Sequence, residues 1–367
     1  MAERARNRQH CSAEPCPTKL LSRAARLAQD DFKVTSKLTI NLGFRWDFES
    51  GTTERYNQLT AIDPYVRNPL SDRVGMNLRG GTLFGGDTLG RCEIRTVIPT
   101  QMNPRIGIAY QITPSTVIRT GYGIFYGMPP YGAGRHYTGA AFQSETPWVT
   151  TVDGITPTGN LSNPFPDGYN FFTGRANGLT TQVGFTIWDG WPDSLRANYN
   201  QQWNFTIQRQ FGGRMMMEVA YAGNKGTNLA YFLPSVELNQ MDPALLPMGN
   251  TLLEQVPNPF AGIVTVGTLA TPTIQRGQLL RPYPQYTGFQ AKNAGWANSK
   301  YHALLARFER RFASGLTVQS SYSFSKTISD AADGLWNMAN GIRNFYCLKC
   351  ERAVSSYDQP HRFVTNR

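Results

Sequence analysis

No stretch of this sequence reaches the roughly 20 consecutive apolar residues that a membrane-crossing helix needs, which excludes helical membrane proteins. Charge is scarce: Asp, Glu, Lys and Arg make up 17% of 367 residues, against roughly 25% in soluble domains. The five cysteines (Cys11, Cys16, Cys92, Cys347, Cys350) are too few for a disulfide scaffold. The four histidines (His10, His136, His302, His361) are scattered, without metal-ligand spacing. No GxSxG motif and no paired carboxylates on a helix are found. Residues 1–26 concentrate basic side chains (Arg4, Arg6, Arg8, Lys19, Arg23, Arg26) but hold no apolar stretch long enough for a signal peptide. Either the chain is not exported or this N-terminus is not the natural start. None of these absences excludes a membrane β-barrel, whose signal per strand is weak.

What the chain has is alternation. From Lys37 to Phe48 every second residue is large and apolar (Leu38, Ile40, Leu42, Phe44, Trp46, Phe48), with Thr39, Asn41, Gly43, Arg45 and Asp47 between. A period of two puts the two sets on opposite faces of a β-strand. The run is longer than the usual five or six residues of a globular strand and suits the roughly 9–11 of a membrane-crossing one. The 35 glycines and 17 tyrosines also favour β structure with many turns.

The unit recurs. A short strand ends at Phe32–Val34, and Thr35-Ser36 turns into the first long strand. Arg105–Ile112 and Thr116–Tyr126 pair through Thr113-Pro114-Ser115; Gln202–Phe211 and Arg214–Tyr221 through Gly212-Gly213; Tyr301–Phe312 and Leu316–Lys326 through Ala313-Ser314-Gly315. A last strand begins at His361–Thr365. Between the hairpins run long segments rich in Gly, Pro, Asn and Asp: 49–103, 127–200, 223–299 and one after Lys326. A short strand is expected at Gln182–Trp188, and a helix at Asp242–Leu253 with Asp242 as N-cap and Pro243 at its first position.

Short turns on one side and long loops on the other are how outer-membrane barrels are built, whereas a sandwich does not segregate loop lengths. Mid-strand Arg45, Arg119, Asn204, Glu218, Arg307 and Glu309 would be costly in a small dry core and cost little facing a wet lumen. Trp46, Phe48, Tyr126, Trp203, Tyr221, Tyr301 and Phe312 near strand ends fit interfacial girdles. The fold class expected is therefore an all-β, antiparallel, partial transmembrane β-barrel of about nine strands.

Several motifs are weighed and set aside. Gly121-Tyr122-Gly123-Ile124-Phe125-Tyr126 partly matches an RNA-recognition signature but has Thr120 where a basic residue belongs; small lumen-facing residues explain it better. Gly223-Asn224-Lys225-Gly226-Thr227 lacks the order of a phosphate loop and reads as a strand-to-loop exit. Arg307-Phe308-Glu309-Arg310-Arg311 reads as a lumen pair, Arg307 and Glu309, plus basic residues at the turn-proximal membrane boundary, rather than an anionic-ligand patch. Cys347-Leu348-Lys349-Cys350 has no second zinc-ligand pair and no strand–helix frame for redox work; a loop disulfide or incidental thiols remain. No catalytic, metal or cofactor-binding residue emerges, ligand-binding residues stay unknown, and neither enzyme activity nor a nucleic-acid partner is expected.

The ordered set AQDDFKVTSKLTINLGFRWDF, NPRIGIAYQITPSTVIRTGYGIFYG, WNFTIQRQF, MEVAYAGNKGTNL, NPF followed by LLRPYPQY, YHALLARFERRFASGLTVQSSYSFSKTISD and DQPHRFV resembles the barrel of TonB-dependent outer-membrane receptors, in particular the Oar-like receptors of acidobacteria. The resemblance spans residues 27–367, leaving 1–26 as an irregular segment unlike the family. It implies a cell outer membrane location, contact with membrane lipid, and recognition of an unknown solute by the external loops. It also implies energy relayed by TonB through a plug domain that the family carries ahead of the barrel and that is not visible here. The family barrel has about 22 strands, so the chain reads as a barrel fragment. The alternative is a non-transporting surface barrel with adhesive or scaffold loops.

Overall fold

A computed structural model describes residues 23–51, 53–93, 98–127, 140–142, 162–163, 172–231, 236–264, 267–312, 315–330 and 342–366. Its strands are β1 Arg23–Lys33, β2 Leu38–Glu49, β3 Thr60–Arg67, β4 Arg79–Phe84, β5 Ile98–Thr113, β6 Thr116–Tyr126, β7 Thr186–Gly190, β8 Tyr199–Phe211, β9 Met215–Tyr231, β10 Val236–Glu237, β11 Gln255–Pro257, β12 Thr273–Gln275, β13 Gly288–Lys292, β14 Ala294–Arg311, β15 Thr317–Ser329, β16 Ala353–Val354 and β17 His361–Asn366. Two single-turn helices, α1 Ser71–Val74 and α2 Arg276–Leu279, sit in the loops.

One antiparallel sheet organises the molecule, in the order β1-β2-β5-β6-β8-β9-β14-β15, with β17 and the short β16 both on β15. Each long strand pairs with the next one in the chain. This is the up-and-down meander of a barrel wall, and the sheet is open at β1 and β17. Among the described residues nine strands reach across the wall, as the alternation predicts. The turns are as expected. Thr35 Oγ1 accepts the Lys37 and Leu38 amides at 3.2 and 3.0 Å, and Gly212 and Gly213 take φ of 55° and 70°, values that glycine adopts at no steric cost. Ala313 and Ser314 lie outside the described residues.

Residues paired across strands share a face. One row runs Leu38–Tyr110–Ile118–Ile207–Val219–Ala306–Tyr322–Phe363, and the next runs Ile40–Ile108–Thr120–Phe205–Tyr221–Leu304–Phe324–His361. Leu42, Phe205, Val219, Leu304 and Phe324 on this face are each between 44% and 50% exposed. A continuous apolar band of this extent is far beyond what a soluble monomer tolerates. Lipid covers it.

The band does not follow the rows. On β2 it begins at Leu38 and runs outward to Phe48; along β15 it begins six residues below that row, at Leu316 just before the strand, and ends two above it, at Phe324. The drop is roughly six to eight residues over six strand-to-strand steps, which at ~3.4 Å per residue and ~4.8 Å per strand is a tilt of roughly 35–43°. Barrel strands tilt by this amount against the membrane normal. β1 does not continue the band, having Arg26, Ala28 and Asp30 opposite Trp46, Phe44 and Leu42.

The opposite face is polar, and several of its side chains pair with one another. Arg45 and Asp47 pair at 2.8 Å, and Asn103 Nδ2 donates to Asp47 at 2.9 Å. Arg307 and Arg311 share Glu309 at 3.3 and 3.0 Å. Arg119 donates to Gln208. These half-exposed pairs are worth less than about 1 kcal/mol each; their role is to keep the lumen wet rather than to hold the wall together. Tyr301, expected in a girdle, stands instead on this face, in register with Asn224 and Thr327.

Four strands are longer than the alternation shows. β1 starts at Arg23; β5 starts at Ile98 and β14 at Ala294, inside the expected loops. β9 runs to Tyr231, so Gly223–Thr227 is strand interior and not a strand exit. The reason is close packing. Trp203 lies flat across Gly223, and a Cβ there would sit 2.3 Å from its indole. We expect Gly223→Val to push Trp203 off the sheet and destabilise the wall by about 1–3 kcal/mol, read as a lower urea midpoint in vesicles, whereas Ala222→Val on the opposite face should shift the midpoint far less.

Candidate functional site

The long loops do not wave separately; they fold into one body beyond the outer edge of the band. β3 and β4 form a hairpin from the first loop, and β7 of the second runs parallel to β13 of the third, which pairs with β10. The main core joins Ile62 from the first loop, Ile187 from the second, Tyr286 and Phe289 from the third, and half-buried Ile342 and Phe345 from the fourth. A second core joins Leu70 and Leu78 to Phe260, Leu269 and Ile274. A third joins Leu59 and Ala61 to Leu195. The expected loop 49–103 thus contains a buried hairpin and helix α1. The expected helix at 242–253 is a 3-10 segment, Pro243–Leu253, kinked at Gly249, with Asp242 accepting the Ala244 amide at 2.9 Å as its cap.

Buried loop backbone needs partners, and buried side-chain amides supply them. Asn68 Nδ2 donates to Gly80 O at 2.8 Å while its Oδ1 accepts the Leu70 amide at 3.0 Å. Asn258 does the same for Leu269 O and the Phe260 amide, at 2.8 and 2.9 Å. Both precede proline, so Asn-Pro marks a point where an amide staples a turn. Asn239 bridges Tyr286 O and the Tyr283 amide at 2.9 and 2.8 Å. Gln285 Nε2 reaches Arg79 O at 2.7 Å, and Thr60 Oγ1 donates to Asp189.

Across this body runs a chain of rings. Tyr65 meets Trp191 at 5.6 Å between centroids, Trp191 meets Trp296 at 5.6 Å, Trp296 meets Phe345 at 6.2 Å, and Phe345 meets Tyr346 at 5.9 Å. It takes Tyr65 from the first loop, Trp191 from the second, Trp296 from the outer end of β14, and Phe345 and Tyr346 from the fourth loop. Its ends are open, with Tyr65 64% and Tyr346 48% exposed. Beside it Tyr283 stacks on Phe289 at 4.3 Å; burial pushes its phenol up to about 12, and Tyr65, Asp63 and Tyr346 add to the shift. Lys292 Nζ sits 3.8 Å from the centroid of Trp188, its pKa lowered by burial against the pull of Asp189. Such a surface offers ring faces and hydroxyls for stacking. Among the described residues no group of His, Cys, Asp or Glu could hold a metal ion.

Most of the remaining sequence features lie in the wall. Gly121 and Gly123 are lumen-facing on β6, beside Asn204 and Gln202; Gly123 leaves room for the Phe125 ring, over which Arg105 lies at 4.7 Å. Arg307 and Glu309 form the expected lumen pair. Cys347 and Cys350 form a disulfide, S–S 2.00 Å, in the fourth loop. His10, His136, Cys11 and Cys16 lie outside the described residues. His302 and His361 are on the outward face and each bonds a tyrosine, Tyr221 at 2.7 Å and Tyr322 at 2.8 Å. Register alone brings those partners together, and no local sequence signal marks them.

The fourth loop is tied to the wall by Asp358. Its Oδ1 accepts the Thr327 amide at 2.6 Å, and Oδ2 lies 3.3 Å from Lys326 Nζ. Burial favours the neutral acid, but these donors outweigh it and hold the pKa below the ordinary 3.8. A carboxylate with a depressed folded-state pKa contributes stability above its unfolded value and loses it as pH falls through the folded one. We expect protease cleavage of residues 352–360 to speed up only below about pH 4, with Asp358→Asn cleaved fast at every pH.

The model of a family described as "outer membrane beta barrel domain" matches residues 19–367. No curated protein is matched by the sequence. Similar solved structures include the alcaligin outer membrane receptor FauA from Bordetella pertussis, 11% identical, TM-score 0.33, covering 83% of this chain and 30% of that one. They also include the FrpB iron transporter from Neisseria meningitidis, 10% identical, TM-score 0.35, covering 84% and 27%, and the outer membrane transporter YddB from Escherichia coli, 10% identical, TM-score 0.34, covering 84% and 33%. The chain therefore spans a third or less of the length of these structures.

Proposed function

This chain belongs to the outer membrane beta barrel domain family, and from that premise we propose that it is part of the barrel of a TonB-dependent, Oar-like receptor whose external loop body captures a ring-bearing solute. The observation that carries the reading is the aromatic chain from Tyr65 to Tyr346, assembled from three loops and the outer end of β14 and open at both ends. Loops of this size are unusual unless they serve a function, and a rigid shared core is what holds a recognition surface in shape. In this reading TonB acts through a plug domain and not through the barrel wall, and the chain binds and does not catalyse.

The test is retention. Protein extracted in mild detergent is incubated with a mixture of ferric siderophores and oligosaccharides, and bound compounds are identified by mass spectrometry. The expected result is a compound retained by the native chain and lost, by about tenfold or more, from Tyr65→Ala/Trp191→Ala. Equal retention by both proteins, or none by either, counts against it. Uptake of the same compound by cells should stop when the proton gradient is collapsed. Binding that persists on cells with no gradient-dependent uptake favours the adhesive surface barrel instead.

A further inference from the structure

At the turn end of the band two adjacent hairpins close in the same way. The strand β8 finishes Arg209-Gln210-Phe211, and β14 finishes Arg310-Arg311 with Phe312 after it. In each the arginine lies over the phenylalanine two residues on: Arg209 Cζ is 5.1 Å from the Phe211 centroid and Arg310 Cζ 4.6 Å from that of Phe312. The Arg311 amide donates to Arg214 O at 2.9 Å and so draws the two turns together. Between them is an open cleft of about 470 Å³ lined by Phe211, Arg214, Met215, Arg310, Arg311 and Phe312.

The charge here is unbalanced. Glu309 pairs with Arg311 and Arg307 on the lumen side, and among the described residues no carboxylate meets Arg209, Arg214 or Arg310. Met217, Val219 and Phe308 continue the apolar face directly inward from the cleft. A guanidinium beside an apolar wall at the edge of a membrane is placed for a phosphodiester, which it binds with two parallel hydrogen bonds. Arginines stacked on rings lose less freedom on binding.

We propose that this cleft is a site for the headgroup of an anionic phospholipid in the leaflet on the turn side, with the phosphate at the rim between Arg310, on the lipid face, and Arg214, in register with lumen-side Arg311, and the acyl chains along Met215, Met217 and Phe308. The apolar floor favours lipid over free phosphate, and the site is independent of what the external loops bind. It would fix the height of the wall in the membrane by a headgroup on the turn side.

Native mass spectrometry of the whole chain, extracted in mild detergent, tests this with equal amounts of phosphatidylglycerol and phosphatidylcholine and, separately, with inorganic phosphate. The expected result is several-fold more phosphatidylglycerol than phosphatidylcholine on the native protein, undisturbed by millimolar phosphate. Arg214→Gln/Arg310→Gln should bring the two lipids to parity. Lys225→Gln/Lys300→Gln, which removes the same charge from a cross-strand pair beyond the other edge of the band, should leave the preference intact. Parity on the native protein overturns the proposal without reference to any variant. So does displacement by inorganic phosphate, or equal loss of preference in both double variants.

Discussion

Arginine in place of Phe205 will keep the protein from reaching the outer membrane in folded form, while arginine in place of the adjacent Asn204 will be tolerated. The two positions are consecutive on β8 and differ only in face. Phe205 stands in the apolar row between Thr120 and Tyr221; Asn204 stands between Gly121 and Ala222 on the lumen side. An arginine on the lipid face near the middle of the band costs about 2–4 kcal/mol. That is a large part of the ~5–15 kcal/mol that holds a typical fold together. At Asn204 the guanidinium meets water and the small neighbours Gly121 and Ala222 leave room for it. A soluble β-protein would reverse the order: Phe205 is 44% exposed, and replacing a water-exposed phenylalanine by arginine would be harmless. The measurement is the fraction of protein recovered in the outer membrane with heat-modifiable mobility in a gel. Equal recovery of the two variants would contradict the assignment of faces.

How far this wall could be read from the chain depends on what covers each strand. Where one face meets lipid and the other water, period two is enforced residue by residue, and β2, β6 and the three described or partly described turns after Thr113, Phe211 and Phe312 were legible to within a residue or two. The same alternation exposed the Arg307–Glu309 pair, because residues two apart share a face. Beyond the band the rule lapses. The outer ends of β5, β9 and β14 are covered by loops rather than lipid, so Gly223–Tyr231 and Ala294–Lys300 mix small, polar and aromatic residues without a period, and composition alone read them as loop. The loop body was less legible still. Its contacts join residues far apart in the chain, such as Asn68 with Tyr286, and its glycines, prolines and asparagines look like open loop until their amides are seen to be buried. The aromatic chain from Tyr65 to Tyr346 is not a motif in the sequence at all: it exists only because four loops share one core.

That sharing carries the second large effect. We expect Phe289→Ala to open all four loops together and to leave the membrane wall folded. Phe289 is fully buried and stands in register with Ile187 of the second loop. Its ring stacks on Tyr283 and lies 5.3 Å from Tyr286, and the hairpin of the first loop comes so close at Gly80 that a Cβ there would be 3.2 Å from it. Removing a buried phenylalanine costs about 3–5 kcal/mol. Trypsin sites lie in every loop: Arg73 in the first, Arg175 in the second, Arg276 in the third, Lys349 in the fourth. If the loops form one cooperative body, all four should become sensitive in Phe289→Ala at a common rate, while Leu246→Ala, at a side chain 60% exposed, changes nothing. Cleavage confined to Arg276 would mean that the third loop folds by itself, and the surface from Tyr65 to Tyr346 would then lack the common support that a recognition site needs. The lysines and arginines of β8, β9, β14 and β15 should stay protected in both variants, because the lipid band and the ladder of hydrogen bonds beneath it do not depend on Phe289.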